Sequence, residues 1–97
     1  MKIKLLSAAK LDIKKGYHFY ENQASGLGDY FLDSIYHDID SLLQYHGIHP
    51  IKFGNYYCKL SEHFPFAIYY KINNDLILVD AVLDCRQNPE KTEKRLQ

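Results

Sequence analysis

The sequence has few of the residues that build specialised scaffolds. Its 97 residues include no tryptophan, two cysteines, three prolines and one methionine. Cys58 and Cys85 are too few for a disulfide framework and lack metal-ligand spacing, so we predict two buried free thiols. No apolar run approaches the ~20 residues that a membrane-spanning helix needs, and no export-signal pattern is present. We therefore expect a cytoplasmic protein that uses no cofactor.

Charge of one sign is missing from long parts of the chain, although the totals balance at 12 basic and 12 acidic residues. Residues 1–15 contain five lysines and one aspartate, whereas residues 16–46 contain no lysine or arginine and five acids. No region concentrates the positive charge that a phosphate backbone attracts, so avid general nucleic-acid binding is disfavoured. The acid-only stretch is interpreted as a solvated helix surface; contact with a basic partner is the alternative.

The pattern that is present most clearly is a β-hairpin near the C-terminal end. Two β-rich runs, Phe66–Ile72 and Leu76–Leu83, flank Asn73-Asn74-Asp75, whose residues tolerate the positive φ of a tight turn. The second run is apolar on both faces except at Asp80, which predicts an internal strand. Strict alternation would place on one face of that strand Ile77, Val79, Ala81 and Leu83.

Two helices are predicted before the hairpin. Ser7 is a plausible N-cap for a helix that begins at Ala8, and Asp12 lies where the helix dipole favours an acid. Helical spacing predicts its buried stripe as Ala9, Ile13, Gly16, Tyr17, Tyr20 and Ala24. A second helix is predicted from Leu27 to His46, with Phe31, Ile35, Ile39, Leu42 and Leu43 on its core face and Asp29, Asp33, Asp38 and Asp40 largely outside it.

The remaining strands complete the fold prediction. Met1–Leu6 alternates lysine with apolar residues, as an edge strand does, and Tyr56–Leu60 is a further strand. After Leu83 the chain is polar, and Glu90 onward predicts at most a short, loose helix. The order βααβββ predicts one α+β domain over residues 1–97, with a helical hairpin packed on a mainly antiparallel four-stranded sheet.

Three segments, taken in order, resemble the RelE/ParE superfamily of bacterial type II toxins. They are GLGDYFLDSIYHDIDSLL in the second helix, FPFAIYYKINND in the hairpin and VLDCRQNP after the last strand. The resemblance implies the same βααβββ fold and a cytoplasmic toxin that a neutralising antitoxin accompanies. It also implies a role in plasmid stabilisation, in which such toxin–antitoxin pairs take part. RelE-like members resemble one another in cleaving messenger RNA on the ribosome, and ParE-like members poison DNA gyrase.

The residues favour the ParE-like branch. The nuclease branch usually carries an arginine in the hairpin where this chain has Ala67, or Phe66 in a shifted register. It also places a tyrosine or histidine after the last strand, whereas none follows Tyr70 here. Only Lys59 and Arg86 match basic positions of the pattern. We therefore predict a toxin that binds gyrase. The alternatives are a ribosome-dependent endoribonuclease and a non-toxic member that only binds a partner.

Candidate site residues follow from this reading. Arg86 is the predicted target contact, and Arg86 with Lys59 are the catalytic candidates if the chain is a nuclease. On its own pattern, Lys59 is more often an ordinary outward residue of a half-exposed strand. Tyr17, Tyr20 and Tyr69 are predicted antitoxin contacts, against the alternative of an amphipathic core or rim. The histidines form no established metal-ligand spacing and are interpreted as surface residues: His46, His49 and His63.

Overall fold

Five strands and four helices follow one another in the computed structural model, which describes residues 1–97. In chain order they are β1 (Lys2–Leu5), α1 (Ser7–Gln23), α2 (Leu27–Asp40), α3 (Leu42–Tyr45), β2 (Ile51–Lys52), β3 (Tyr56–Leu60), β4 (Phe66–Asn73), β5 (Leu76–Asp84) and α4 (Pro89–Arg95). The predicted α+β architecture, a helical hairpin on a sheet, is confirmed. None of the helices is long and apolar enough to span a bilayer.

The sheet has five strands in the order β1-β5-β4-β3-β2, rather than the predicted four. The additional strand, β2, is two residues long and pairs with Tyr56 and Tyr57 of β3. The hairpin of β4 and β5 lies inside the sheet as predicted, and β1 lies at its edge. β1 runs parallel to β5, and all other pairs are antiparallel.

A β-bulge at Asp80 changes the faces predicted for β5. Tyr69 pairs with Ala81 whereas Tyr70 pairs with Val79, so Asp80 is the additional residue. An additional residue reverses the alternation beyond it. The predicted grouping of Ala81 and Leu83 with Val79 is therefore wrong.

The main core lies between the helices and the sheet. Its buried side chains come from α1, α2, α3, β4 and β5: Ala9, Ile13, Tyr20, Phe31, Ile35, Ile39, Leu42, Phe66, Ile68, Tyr70, Ile77, Val79 and Val82. The stripe predicted for α1 is buried at Ala9, Ile13, Gly16 and Tyr20, half-buried at Tyr17, and exposed at Ala24. Gly16 is needed for close packing, because a Cβ there would lie 2.4 Å from Cζ of Phe31.

The helix boundaries differ from the predictions in two places. α1 begins at Ser7 itself, after Leu6, and no side chain caps it. The predicted helix Leu27–His46 is interrupted at Ser41, whose hydroxyl donates a 2.6 Å hydrogen bond to the carbonyl of Asp38. A hydroxyl that bonds to a carbonyl one turn back competes with regular helix and often bends it.

The opposite face of the sheet carries a second, smaller core beneath α4. Its members are Cys58, Ala67, Tyr69, Ala81, Leu83 and Leu96. α4 is short, as predicted, but it is anchored: Leu96 is 7% exposed and the Asn88 side chain accepts a 2.8 Å hydrogen bond from the Glu90 amide. Cys58 is a buried free thiol as predicted, whereas Cys85 is free but exposed, because it lies in the turn after β5.

Candidate functional site

The end of β5 presents Arg86 on a short turn. Its Nε and Nη2 atoms donate hydrogen bonds of 3.0 and 2.7 Å to the two carboxylate oxygens of Asp84. The Arg86 amide donates a further bond of 2.8 Å to the same carboxylate. These hydrogen bonds hold the pKa of Asp84 below its ordinary value and raise the pKa of Arg86. The guanidinium is therefore held in one orientation while its side chain stays 59% exposed.

Beside Arg86 a groove of about 470 Å³ separates α1 from the end of β5 and the C-terminal segment. We call it the end groove. Its lining includes apolar Phe19, Phe66, Val82 and Leu83 and the charged residues Asp12, Lys15, Asp84, Lys91 and Arg95. Lys15 and Lys91 form no ion pair. The end groove therefore has a slight excess of positive charge next to an exposed arginine.

Asp12 and Arg95 fix one wall of the end groove. Arg95 donates a 2.7 Å hydrogen bond to Asp12 and one of 3.2 Å to the carbonyl of Asp80. The second carboxylate oxygen of Asp12 accepts the Val82 amide at 3.0 Å. Asp12 was predicted to interact favourably with the helix dipole. Its carboxylate instead accepts a hydrogen bond from a backbone amide that the bulge leaves without a partner in the sheet.

Tyr20 lies in the core close to Arg86. Its ring contacts Phe31 and Phe64, with centroids 5.2 and 4.7 Å away, and its hydroxyl is buried without a hydrogen-bond partner. Burial raises the pKa of Tyr20, and the positive charge of Arg86 opposes that rise. The hydroxyl is therefore a neutral donor at physiological pH.

Lys59 points toward the helices, whereas it was predicted to point outward. On β3 it pairs with Ile68, whose side chain lies in the main core, and its Nζ atom lies 3.8 Å from Oδ1 of Asp38 on α2. The side chains of Lys59 and Asp38 are only 13% and 2% exposed. Asp38 also accepts a 2.8 Å hydrogen bond from the hydroxyl of Ser61. The prediction that Asp38 belongs to a solvated acidic surface is therefore wrong.

A histidine–tyrosine pair that no sequence pattern predicts lies near Lys59. The fully buried hydroxyl of Tyr70 contacts Nδ1 of His49 and accepts the amide of Gly47 at 2.9 Å. Burial lowers the pKa of His49, and the charge of Lys59 lowers it further. Since 21 residues separate the pair in sequence, no local motif could reveal it. No group of three potential metal ligands exists in the chain.

A second groove of about 310 Å³ is lined only by residues of α1 and α2. We call it the helical groove. It contains Lys10, Ile13, Lys14, Tyr17, His18, Leu32 and Tyr36. Close contact of the two helices depends on Gly28, where a Cβ would lie 2.8 Å from the ring of Tyr17.

Comparison with solved structures identifies the fold. A chain in a structure of the chromosomal ParDE TA system from P. aeruginosa superposes with a TM-score of 0.71 and 17% sequence identity. The match covers 84% of this chain and 92% of that one. The chain has a ParE-like fold. No protein-family model and no curated protein matches the sequence.

On this ParE-like fold, the positions examined for nuclease chemistry are scattered. Ala67 lies in the second core, on the face of the sheet opposite the helices. Lys59 lies under α2, and Arg86 is fixed by Asp84 at the end of β5. The two basic candidates therefore belong to separate carboxylate pairs, and the fold does not join them into one cluster.

The three tyrosines predicted to contact an antitoxin also lie apart. Tyr20 is in the main core and Tyr69 in the second core, each 7% exposed. Burial strongly raises the pKa of Tyr69. Tyr17 is half-buried and lines the helical groove of the ParE-like fold. Of the three, Tyr17 presents the most ring surface to a partner.

Proposed function

We propose that this protein is the toxin of a type II toxin–antitoxin pair and that it acts by binding DNA gyrase in the cytoplasm. The observation that carries the proposal is the pairing of cations with carboxylates. Lys59 pairs with Asp38, Arg86 with Asp84, and Arg95 with Asp12. Cleavage of a phosphodiester needs positive charge aimed at the transition state, and a cation already neutralised supplies it poorly.

The proposed target contact is Arg86 with the end groove. The guanidinium is oriented by Asp84 through its Nε and Nη2 atoms, so Nη1 takes no part in that carboxylate pair. An exposed, pre-oriented arginine next to an apolar cleft is typical of residues that dominate protein–protein binding. Phe19, which lines the groove and is 50% exposed, supplies apolar surface beside it.

A gyrase assay tests the target. We expect purified protein to inhibit supercoiling, and Arg86→Ala to raise the concentration required by about tenfold, because it removes the oriented contact. Lys94→Ala, an exposed residue outside the end groove, is the matched control and should leave inhibition unchanged. Normal supercoiling with protein that still arrests growth on induction would exclude gyrase.

The second candidate function is a ribosome-dependent endoribonuclease, favoured by one observation. His49 and the Tyr70 hydroxyl form a pair near Lys59, and the lowered pKa of His49 leaves its ring neutral at physiological pH, as a general base must be. Primer extension on messenger RNA after induction discriminates. Ribosome-phased cuts that disappear in both His49→Gln and Arg86→Ala would replace gyrase binding with this function.

A neutralising antitoxin is the proposed partner, and Tyr17 is its proposed contact. Co-expression of the adjacent reading frame should restore growth if that frame encodes the antitoxin. Normal growth on induction of folded protein alone would instead favour a non-toxic, partner-binding protein.

A further inference from the structure

Lysines from three strands meet on one face of the sheet. Residues that pair directly across neighbouring strands project from the same face. Leu78 pairs with Lys4 on one side and with Lys71 on the other, and Tyr56 pairs with Lys52. The ammonium of Lys71 lies 4.5 Å from the ring centroid of Tyr56, which joins the two sets. We call this line across all five strands the cross-strand row: Lys4, Leu78, Lys71, Tyr56 and Lys52.

The cross-strand row lies on the face opposite the helical hairpin. Ile3 and Leu5, on either side of Lys4, pack against the main core, whereas Tyr56 packs against the second core. Alternation along β1 places Lys2 on the same face as Lys4, roughly 7 Å away. The row lies beside the part of the sheet that α4 covers and is itself open, since Lys2, Lys4 and Lys52 are exposed.

The four lysines keep most of their charge. None of them forms an ion pair. Asp80, at the bulge, interacts with Lys71 but also with Arg95, so it does not neutralise the row. Asp75 lies in the turn beside Lys2, where its carbonyl accepts the Lys2 amide at 2.8 Å, and offsets one further charge at most.

The acidic residues are concentrated on the other side of the molecule. Asp29, Asp33 and Asp40 are exposed on α2, which packs against the opposite face of the sheet. A chain with no net charge is therefore basic on one side and acidic on the other. Counts along the sequence do not predict this, because the lysines of the row come from strands far apart in the chain.

We propose that the cross-strand row, together with Lys2, binds the phosphate backbone of duplex DNA without sequence preference. The row crosses four inter-strand spacings and is therefore about 19 Å long. Lysines spread over that length on a flat, rigid sheet can contact several phosphates at once, and each contact releases counterions from the DNA. The acidic side of the protein then faces away from the duplex, which fixes the orientation of binding.

A protein partner fits the cross-strand row less well. Its apolar members, Leu78 and Tyr56, are half-buried, and lysine is depleted in interfaces between proteins. Interfaces with DNA are more polar and much more positively charged.

Single-stranded nucleic acid and membranes also fit less well. Bound single strands stack their bases on aromatic rings, but one face of Tyr56, the only aromatic member of the row, already carries the Lys71 ammonium. No large apolar side chain of the row is exposed, so none is available to enter a lipid surface.

The dependence of binding on salt tests the proposal. Fluorescence anisotropy with the full-length protein and a labelled duplex of about 20 base pairs should give a slope of log K against log salt of about −3, the value for three to four phosphate contacts. Affinity should then fall about sixtyfold between 50 and 200 mM salt. A slope shallower than about −1, or no binding at 50 mM salt, would overturn the proposal.

Substitutions locate the contact. Lys4→Gln with Lys52→Gln should weaken binding at least about tenfold and make the slope shallower by about 1.8, because two phosphate contacts are lost. Lys10→Gln with Lys14→Gln removes the same charge from exposed positions on α1 and should leave the slope unchanged. Equal effects of the two pairs would exclude the cross-strand row as the site.

Competitors test the chemical class of the ligand. Unlabelled duplex should displace the labelled duplex at about tenfold lower charge concentration than poly-glutamate or a single strand of the same length. Displacement by poly-glutamate at the same concentration would assign the row to an acidic protein, and equal displacement by the single strand would assign it to single-stranded nucleic acid. Binding to phosphatidylserine vesicles that the Lys4 and Lys52 substitutions weaken as much as DNA binding would assign it to membranes.

The proposal goes beyond gyrase binding and does not depend on it. The cross-strand row lies near the start of β5, six residues and roughly 20 Å from the Asp84 that orients Arg86. Neither gyrase nor an antitoxin enters these measurements. Failure of DNA binding would leave the proposed function intact, and failure of gyrase inhibition would leave this proposal intact.

Discussion

Individual cations in this protein are held by carboxylates. The most buried example is Lys59, which lies beneath α2 with Asp38, while Ser61 supplies a hydrogen bond to the same carboxylate. Removing one partner of such a pair leaves the other charge without compensation in a medium of low dielectric constant. Lys59 is therefore important for stability, whatever its part in function.

Substitution of Asp38 should show this dependence. We expect Asp38→Asn to lower the free energy of unfolding by about 2–3 kcal/mol, because the Lys59 charge would remain buried without a counterion. Asp38→Asn combined with Lys59→Met should recover most of the loss, since no buried charge remains. Urea denaturation of the single and double variants measures both values. A double variant whose stability equals the sum of the two single losses would contradict the coupling.

His49 should make stability depend on pH. Its pKa is lowered from the ordinary 6.5, so the unfolded chain binds more protons than the folded one as pH falls through that value. The stabilisation is complete above about pH 6.5 and is lost as pH falls from there toward the pKa of the folded state. We expect His49→Gln to reduce the fall in unfolding free energy between about pH 7.5 and 5.5. His63→Gln, at an exposed position, should leave that fall unchanged.

At the residue scale, interactions between residues that are neighbours in the chain can be predicted from the sequence. Arg86 was predicted as a functional residue at the end of a strand, and Asp84, only two residues away, fixes it. Lys59 with Asp38, and His49 with Tyr70, are brought together by the tertiary fold. Alternation on β3 was visible in the sequence, but which face meets the helices was not.

Among the elements, the helical hairpin depends on close approach at two glycines. A Cβ at Gly16 would overlap the ring of Phe31, which is fully buried and has no room to move. A Cβ at Gly28 would overlap the ring of Tyr17. Helical spacing predicts Gly16 on the buried stripe, and the structure confirms that position.

Gly16→Ala separates packing from helix propensity. Alanine is favoured over glycine within a helix by about 1 kcal/mol, yet we expect a net loss of about 1–3 kcal/mol because the methyl group overpacks the core. Gly16→Ala with Phe31→Leu should be more stable than the sum of the two single effects predicts. Thermal unfolding followed by circular dichroism provides the comparison. A stabilised Gly16→Ala protein would show that the helices can separate at no cost.

The bulge in β5 shows the limit of periodicity. A regular alternation places Ala81 and Leu83 with Val79, and only the polar Asp80 within an apolar run hints at an irregularity. The carboxylate that accepts the Val82 amide comes from Asp12, at the other end of the chain. Because Asp12 lies far from Val82 in sequence, no local pattern predicts the bulge.

Across the whole molecule, α4 closes the face of the sheet that the helical hairpin leaves open. Leu96 covers the second core, and Arg95 reaches Asp12 on α1. The order of the major elements and the central hairpin were predictable because local patterns determine them. β2 and the anchoring of α4 were not, since a two-residue strand and a seven-residue helix depend on partners far away in sequence.

Leu96→Ala tests whether α4 is part of the folded unit. We expect the free energy of unfolding to fall by about 1–2 kcal/mol, because most of the buried side chain is lost from the second core. Glu93→Ala, exposed on the same helix, should change it by less than about 0.5 kcal/mol. Equal stability of the two variants would mean that α4 does not contribute to the fold.

The parallel pairing of Lys2–Leu5 with Leu76–Val79 also bears on biosynthesis. The first strand to leave the ribosome must wait for the last one, which at ~5–20 residues per second takes roughly four to fifteen seconds of elongation. During that time the nascent chain cannot complete its sheet, and long-range pairing of this kind slows folding further. A chain that ends before β5 therefore lacks the strand that joins β1 to β4 in the sheet.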